Sequence, residues 1–161
     1  MKKFFRFALV LLLATFVFSG VAQARNLTLA AGMVQFYIPD TWKNEMQSGI
    51  VSSESPDGGV AVVFTLLQNE QLDQALAEAE ASIIDTVGPL TPNGEVLDFT
   101  VNGMPATMQK GTAQNGQTSV SLTMVLTPAK KWLMIMYMGN KTQEAFWRKD
   151  LTAMLNSVKP L

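Results

Sequence analysis

Two segments of the chain repeat apolar residues at three- and four-residue steps, the spacing of one helix face, and therefore predict two helices. Asn69 stands where it can cap the first helix, and Gly88-Pro89 ends it. Thr142 stands where it can cap the second, and Pro160 ends it. The expected buried stripes are Leu72, Ala75, Leu76, Ala79, Ile83 and Val87 in the first helix and Trp147, Leu151, Met154, Leu155 and Val158 in the second.

Apolar runs separated by turn signals predict strands in the rest of the chain. Asn102-Gly103 and Asn115-Gly116 are typical of hairpins, because both residue types accept a positive φ at low cost. Pro56-Asp57-Gly58 indicates a further turn. The predicted strands are residues 34–38, 50–54, 60–67, 95–101, 104–112, 118–127 and 132–138, with a short piece at 27–29.

The polarity of the strands predicts how they are covered. Residues 60–67 and 132–138 are apolar on both faces, so both need cover on each side of the sheet. In residues 118–127, Ser119, Ser121 and Thr123 alternate with apolar residues, which predicts one wetter face. We therefore expect a single α+β domain: a mainly antiparallel sheet of about six or seven strands with two main helices, ordered β-β-β-α-β-β-β-β-α, the sheet centre being covered on both faces.

The first 24 residues have the pattern of a secretory signal peptide. Three basic residues precede an apolar run at 7–18, and Ala22-Gln23-Ala24 is a small-x-small cleavage pattern. The apolar run of twelve residues is shorter than the ~20 that cross a bilayer. We expect cleavage between Ala24 and Arg25, a domain at 25–161 and a periplasmic location.

Composition limits the partners of this domain. The chain has no cysteine, which excludes disulfides and lipid attachment through a cysteine, so we expect no stable membrane anchor after cleavage. Residues 25–161 carry nine Lys and Arg against thirteen Asp and Glu, a net charge of −4. An acidic domain without a basic cluster is a poor candidate for binding nucleic acid.

Few side chains are suited to catalysis. Without histidine or cysteine, Ser-His-Asp and Cys-His chemistry are excluded. Asp40, Glu54 and Asp57 could meet near strand ends as an acid pair or cation site, but Asp40 and Asp57 also fit turn or cap roles. We expect no catalytic residue, no cofactor and no enzyme activity.

One methionine pattern could bind metal. Trp132, Met134, Met136 and Met138 fall at every second residue and share one strand face. Thioethers select Cu(I). The opposite face of the strand is apolar too, so packing in a central strand explains the stripe without a metal. The expectation is no metal, with Met134, Met136 and Met138 as the candidate ligands if one binds.

Trp42, beyond the end of a predicted strand, is the candidate partner contact. An exposed tryptophan there could anchor a partner protein. We favour the alternative, in which it folds back over the sheet edge, because large aromatic side chains bury a large area.

Several landmarks, in their order along the chain, resemble the PsbP/Mog fold family and, within it, the DcrB-like periplasmic proteins. They are Phe36-Tyr37-Ile38-Pro39-Asp40-Thr41-Trp42, Ser55-Pro56-Asp57-Gly58-Gly59, Val101-Asn102-Gly103-Met104-Pro105-Ala106, Lys131-Trp132 and Leu155-Asn156-Ser157-Val158-Lys159. The resemblance implies a binding scaffold and transmits no activity or cofactor.

These observations favour an exported, non-catalytic binding or accessory domain that acts on an envelope protein. A small-molecule or lipid-binding protein, with a pocket between sheet and helix lined by methionine and aromatic residues, is the alternative. Two further alternatives are a Cu(I)-binding protein and a carboxylate-dependent enzyme.

Overall fold

The computed structural model describes residues 25–161, so the expected signal peptide and Ala24 at its cleavage position lie outside the described residues. Within this part of the chain there are eleven strands and two helices. They are β1 Arg25–Leu29, β2 Val34–Ile38, β3 Lys43–Gln47, β4 Ile50–Glu54, β5 Val60–Leu66, α1 Leu72–Val87, β6 Thr91–Pro92, β7 Leu97–Val101, β8 Met104–Ala113, β9 Thr118–Leu126, β10 Trp132–Gly139, α2 Lys141–Ser157 and β11 Lys159–Pro160.

The strands form two antiparallel sheets. The main sheet has the order β3-β4-β5-β10-β9-β8-β6, and β7 pairs with β8 beside β6. A small sheet has the order β1-β2-β11. The expected α+β class is confirmed, but the strands outnumber the predicted six or seven. The sequence pattern did not predict β3, because Lys43–Gln47 is almost wholly exposed and lacks the apolar alternation of a half-buried strand.

Both faces of the sheet centre are covered, as expected. On one face, α1 packs through Ala75, Ala79 and Ile83 against β9 and β10. On the other face, the small sheet and α2 cover β5 and β10. Phe36 of β2 stacks on Phe64 of β5, with ring centroids 4.1 Å apart. The continuous apolar runs in β5 and β10 thus follow from a two-sided core.

Both predicted helix caps are wrong. Gln71 occupies the N-cap of α1 without a side-chain hydrogen bond, and the backbone N–H of Asn69 instead donates to Glu78, 3.2 Å away. Partial burial opposes ionisation of Glu78, but hydrogen bonds from Gln68 and Asn69 outweigh it and lower the pKa. The N-cap of α2 is Asn140, not Thr142, because the Asn140 side chain reaches the N–H of Gln143 at 2.9 Å.

The predicted stripe of α1 is too wide. Leu72 and Leu76 are 39% and 37% exposed, whereas Ala75, Ala79 and Ile83 are buried. Those three residues are four positions apart, slightly more than the roughly 3.6 residues of one helical turn. The line of buried residues along α1 therefore winds slowly around the helix. Leu72 and Leu76 consequently lie beside that line rather than on it.

The predicted Asn102-Gly103 hairpin and the end of α2 can both be compared with the structure. Asn102 and Gly103 form the β7–β8 turn with φ of 47° and 83°, which confirms that hairpin. The second helix ends at Ser157, before Pro160, which pairs with Val34 in the small sheet. No helix of residues 25–161 has the length and apolarity needed to cross a membrane.

Candidate binding cleft

A cleft between the main sheet and α2 has a floor that follows from strand register. The floor belongs to β5, β10, β9 and β8, which lie side by side. Each row across these strands takes one residue from each, because antiparallel partners opposite one another share a face. One row contains Val62, Tyr137, Ser121 and Lys110, and the next contains Phe64, Ile135, Thr123 and Met108.

The roof of the cleft is one face of α2. Glu144, Arg148, Leu151 and Leu155 line it at three- and four-residue steps, the spacing of a single helix face. The volume of the cleft is about 430 Å³, within the range of about 300–1,000 Å³ found for small-molecule sites.

Polarity changes along the cleft. A second compartment of about 270 Å³ adjoins the first and shares Lys110, Tyr137 and Arg148 with it. From α2, this compartment is lined by Lys141, Glu144 and Arg148 alone. Farther along α2, the main cavity is lined largely by apolar residues, including Leu151 and Leu155. The cleft thus has a charged end, nearer the start of α2, and an apolar end.

The hydroxyl of Tyr137 has no hydrogen-bond partner, although the side chain lines both compartments and is only 8% exposed. A Cβ atom at Gly139 would lie 3.0 Å from this oxygen and 3.0 Å from the carbonyl oxygen of Gly59, so the hydroxyl packs closely against the backbone at Gly139. Burial, and then the nearby Glu144 carboxylate, raises the pKa of Tyr137, so the hydroxyl keeps its proton. It is a buried donor without an acceptor, an arrangement that costs stability.

The charged end carries an excess of positive charge. Lys110, Lys141 and Arg148 line it together with one carboxylate, Glu144. The ion pair within 4 Å in residues 25–161 lies elsewhere, between Lys43 and Glu54 at 3.8 Å. The cations at the cleft therefore remain available to a ligand.

Trp42, the candidate partner contact, is 2% exposed. Its ring packs edge-on against Trp147 of α2, 5.5 Å between centroids, and its Nε1 donates to Asp150 at 3.4 Å. The indole folds back into the core and is not presented at the surface. The neighbouring Phe146, also in contact with Trp147, is the exposed aromatic, with 72% of its surface accessible.

The methionine stripe of β10 lies beneath α1, on the face opposite the cleft. Met134 and Met136 are fully buried and pack among Ala75, Ala79 and other apolar side chains. Met138 is partly buried at the edge of the same cluster. Every second residue of β10 faces this core, and Tyr137 faces the cleft.

The three candidate carboxylates, Asp40, Glu54 and Asp57, do not form a metal-binding group among residues 25–161. Asp57 lies in its turn, where it accepts hydrogen bonds from Ser55 at 2.6 Å, Gly59 at 3.1 Å and Trp147 Nε1 at 3.2 Å. Glu54 pairs with Lys43. No group of three or more Asp and Glu residues suited to hold a metal occurs within residues 25–161.

The sequence contained one signal for the cleft. The wetter face predicted for β9 exists, and its Ser121 and Thr123 form part of the floor. Tyr137 and Arg148 were missed, because Tyr137 lies in an all-apolar strand and Arg148 resembles any solvated helix residue. Only the packing of α2 on the sheet brings them together.

No protein-family model matches the sequence, and no curated protein matches it. The solved structures that resemble the fold include the following three. Cyanobacterial PsbP (CyanoP) from Synechocystis sp. PCC 6803 has a TM-score of 0.62 and 8% identity, over 89% of this chain and 96% of that one.

The second structure is PA94 from Pseudomonas aeruginosa, described as a protein of unknown function and putative regulator. It has a TM-score of 0.55 and 11% identity, over 86% of this chain and 98% of that one. The third structure is LpqN of Mycobacterium tuberculosis, described as involved in cell envelope biogenesis. It has a TM-score of 0.55 and 13% identity, over 91% of this chain and 95% of that one. The narrower likeness to DcrB-like proteins stays a prediction. The chain has the PsbP-like fold that the order of its sequence landmarks predicts.

Proposed function

We propose that the protein is an exported, non-catalytic accessory domain of the cell envelope that binds a small molecule in the cleft beneath α2. The observation that carries the proposal is the Tyr137 hydroxyl, a buried donor without a partner on a residue that lines a cavity of about 430 Å³. Buried polar groups in folded proteins are nearly always hydrogen-bonded. A bound ligand oxygen would supply the missing acceptor.

The lining of the cleft also supports binding. Small-molecule sites are concave and largely apolar, with a few placed polar groups that orient the ligand. Here Val62, Phe64 and Ile135 give an apolar surface, and Tyr137 and Arg148 give the polar groups. Export and the envelope location rest on the signal-peptide pattern of residues 1–24.

Native mass spectrometry tests ligand binding directly. The protein is produced from the full chain, purified from an envelope extract without detergent, and compared with Leu151→Trp, which fills the cleft from its roof. Ala153→Trp, on an exposed part of the same helix, is the matched control. We expect an added mass on the wild type and on the control, but not on Leu151→Trp. An added mass that is equal on all three, or absent from all three, contradicts the proposal.

A second candidate, docking to an envelope protein, rests on Phe146. A large aromatic side chain that is 72% exposed on α2 is the kind of residue that dominates protein interfaces. Co-purification from envelope extract is compared between wild type, Phe146→Ser and Val96→Ser, a control at another exposed apolar residue. We expect one reproducible partner that is lost only with Phe146→Ser. Recovery of the same proteins with the wild type and both variants counts against this candidate.

A further inference from the structure

We infer that the ligand of the cleft is a single-chain amphiphile with an anionic head group, the head lying near Tyr137, Lys110 and Arg148 and the chain lying between the sheet and Leu151. This inference rests on the proposed function and names the chemical class of the ligand. The head group is a carboxylate or a phosphate, since both are compact anions that accept several hydrogen bonds.

Charge at one end of the cleft selects an anion. Three cations and one carboxylate line that end, in a domain whose net charge is −4. The Tyr137 hydroxyl beside them can donate a hydrogen bond and has no acceptor in the structure. Hydrogen bonds between cationic donors and an anionic oxygen are about twice as strong as neutral ones. A cationic or purely apolar ligand would leave the Tyr137 hydroxyl unpaired and would make no favourable contact with the three cations, which are exposed to water.

The other end of the cleft selects an apolar chain. The floor row of Phe64, Ile135 and Met108 lies one step along the sheet from the row that holds Tyr137 and Lys110. Leu151 and Leu155 line the same cavity from α2. Burying an alkyl chain against these side chains stabilises the complex in proportion to the apolar area removed from water.

Floor and roof agree on the direction of the ligand. On the floor, the polar row lies nearer the end of β10, and α2 begins directly after that end. On the roof, the charged residues Lys141, Glu144 and Arg148 occupy the first half of α2, and the apolar residues the second half. The sheet and α2 thus place charged or polar groups at the same end of the cleft and apolar side chains at the other end.

Binding of four probes with the same ten-carbon chain tests the inference. Decanoate and decyl phosphate carry anionic heads, decyl maltoside a neutral head and decyltrimethylammonium a cationic head. Titration calorimetry with the protein produced from the full chain, each probe below its critical micelle concentration, gives the dissociation constants. We expect the anionic probes to bind at least about tenfold more tightly than the other two, a difference of one strong polar interaction. The ratio between decanoate and decyl phosphate identifies the head group.

Variants assign the head-group site. Lys110→Gln and Arg148→Gln are each expected to weaken anionic probes by about tenfold and to leave decyl maltoside unchanged. Lys149→Gln is the matched control, because Lys149 is an exposed cation of the same helix that does not line the cleft. Butanoate, with the head of decanoate and a shorter chain, is expected to bind far more weakly if the chain contributes.

The outcomes separate this inference from the function on which it rests. Anion preference that depends on Lys110 and Arg148 supports the inference. Equal binding of all four decyl probes overturns the ligand class but leaves a binding cleft. Equal loss with Lys149→Gln, or equal binding of butanoate and decanoate, overturns the assigned arrangement. No binding by any probe, together with no added mass in native mass spectrometry, overturns both.

Discussion

Two buried hydroxyl groups of this domain differ in what surrounds their oxygen atoms. Thr127, 2% exposed, donates to the carbonyl of Lys131 at 2.8 Å. Tyr137, 8% exposed, donates to nothing. A buried hydroxyl without a partner loses its bonds to water and gains none in return. The first hydroxyl therefore stabilises the ligand-free fold and the second destabilises it.

Opposite changes in stability are expected when each hydroxyl is removed. Tyr137→Phe should raise the free energy of unfolding of the ligand-free protein by about 1 kcal/mol or more, because a buried unsatisfied group costs about 1–3 kcal/mol. Thr127→Val should lower it by about 1 kcal/mol, because it removes a made hydrogen bond. Urea denaturation measures both. If Tyr137→Phe destabilises as much as Thr127→Val, the tyrosine hydroxyl has a partner within the protein.

Asp57 makes the stability of the domain depend on pH. Hydrogen bonds from Ser55 and then from the Gly59 N–H hold the pKa of Asp57 below its usual value of 3.8. Because the folded-state pKa is lowered, the contribution to stability is fully present above pH 3.8 and is lost as the pH falls through the folded value.

Replacement of Asp57 tests this linkage. Asp57→Asn should lower the Tm at pH 7, and the difference from wild type should shrink below pH 3.8, because the wild-type carboxyl then becomes neutral as well. Thermal melts across pH 2.5 to 7, a span chosen to bracket an ordinary carboxyl pKa, measure the effect. Asp98→Asn, at an exposed position of β7, is the control and should stay close to wild type. A difference at Asp57 that does not vary with pH would show that its charge plays no part.

At the level of elements, the start of α2 depends on one side chain. Asn140 accepts the Gln143 N–H, whereas Thr142 lies inside the helix and is exposed. Asn140→Ala should lower the free energy of unfolding by about 1 kcal/mol, and Thr142→Ala should change it by less than about 0.5 kcal/mol. Chemical denaturation of the two variants decides between them. A larger loss with Thr142→Ala would restore the cap that the sequence pattern favoured.

Elements with a buried face were predictable, and elements without one were not. Residues 118–127 alternate polar and apolar residues, and the structure places a strand there with its polar residues toward the cleft. β3 is exposed along most of its length, and its strand form depends on pairing with β4, which a local pattern does not contain. The caps failed for a similar reason, since several polar residues near each helix start were chemically suitable.

At the scale of the whole molecule, the β7–β8 turn ties the main sheet to the end of α2. Asn102, with φ of 47°, donates its side-chain amide to the carbonyls of Asn156 and Val158, at 2.8 and 2.7 Å. The Asn102-Gly103 signal predicted the turn, but nothing local to it indicated this second role.

Replacement by glycine separates the two roles of Asn102. Asn102→Gly keeps a residue that accepts positive φ and removes both hydrogen bonds, so it should lower the free energy of unfolding by about 1–2 kcal/mol. Asn115→Gly is the matched control, because Asn115 has φ of 58° in an exposed loop. It should be nearly neutral. Equal effects in denaturation would show that backbone freedom, rather than the tie to α2, determines the loss.

The fold class was predictable because β5 and β10 are continuous apolar runs, and such strands require cover on both faces of the sheet. The cleft was not, because its floor depends on which residues of separate strands lie opposite one another. Lys110 and Ser121 are neighbours through pairing of β8 with β9, and Arg148 reaches them only through the placement of α2.

The alternation of residues along β9 separates the two faces of the main sheet, so that residues on one face can change without changing those on the other. Ser121 and Thr123 face the cleft, while Leu122 and Met124 between them face α1. A point substitution at the first pair changes the lining of the cleft and leaves the packing of the second pair intact, whereas an insertion would exchange the two sets. The chemistry of the cleft can therefore change by single substitutions while the core beneath α1 stays the same.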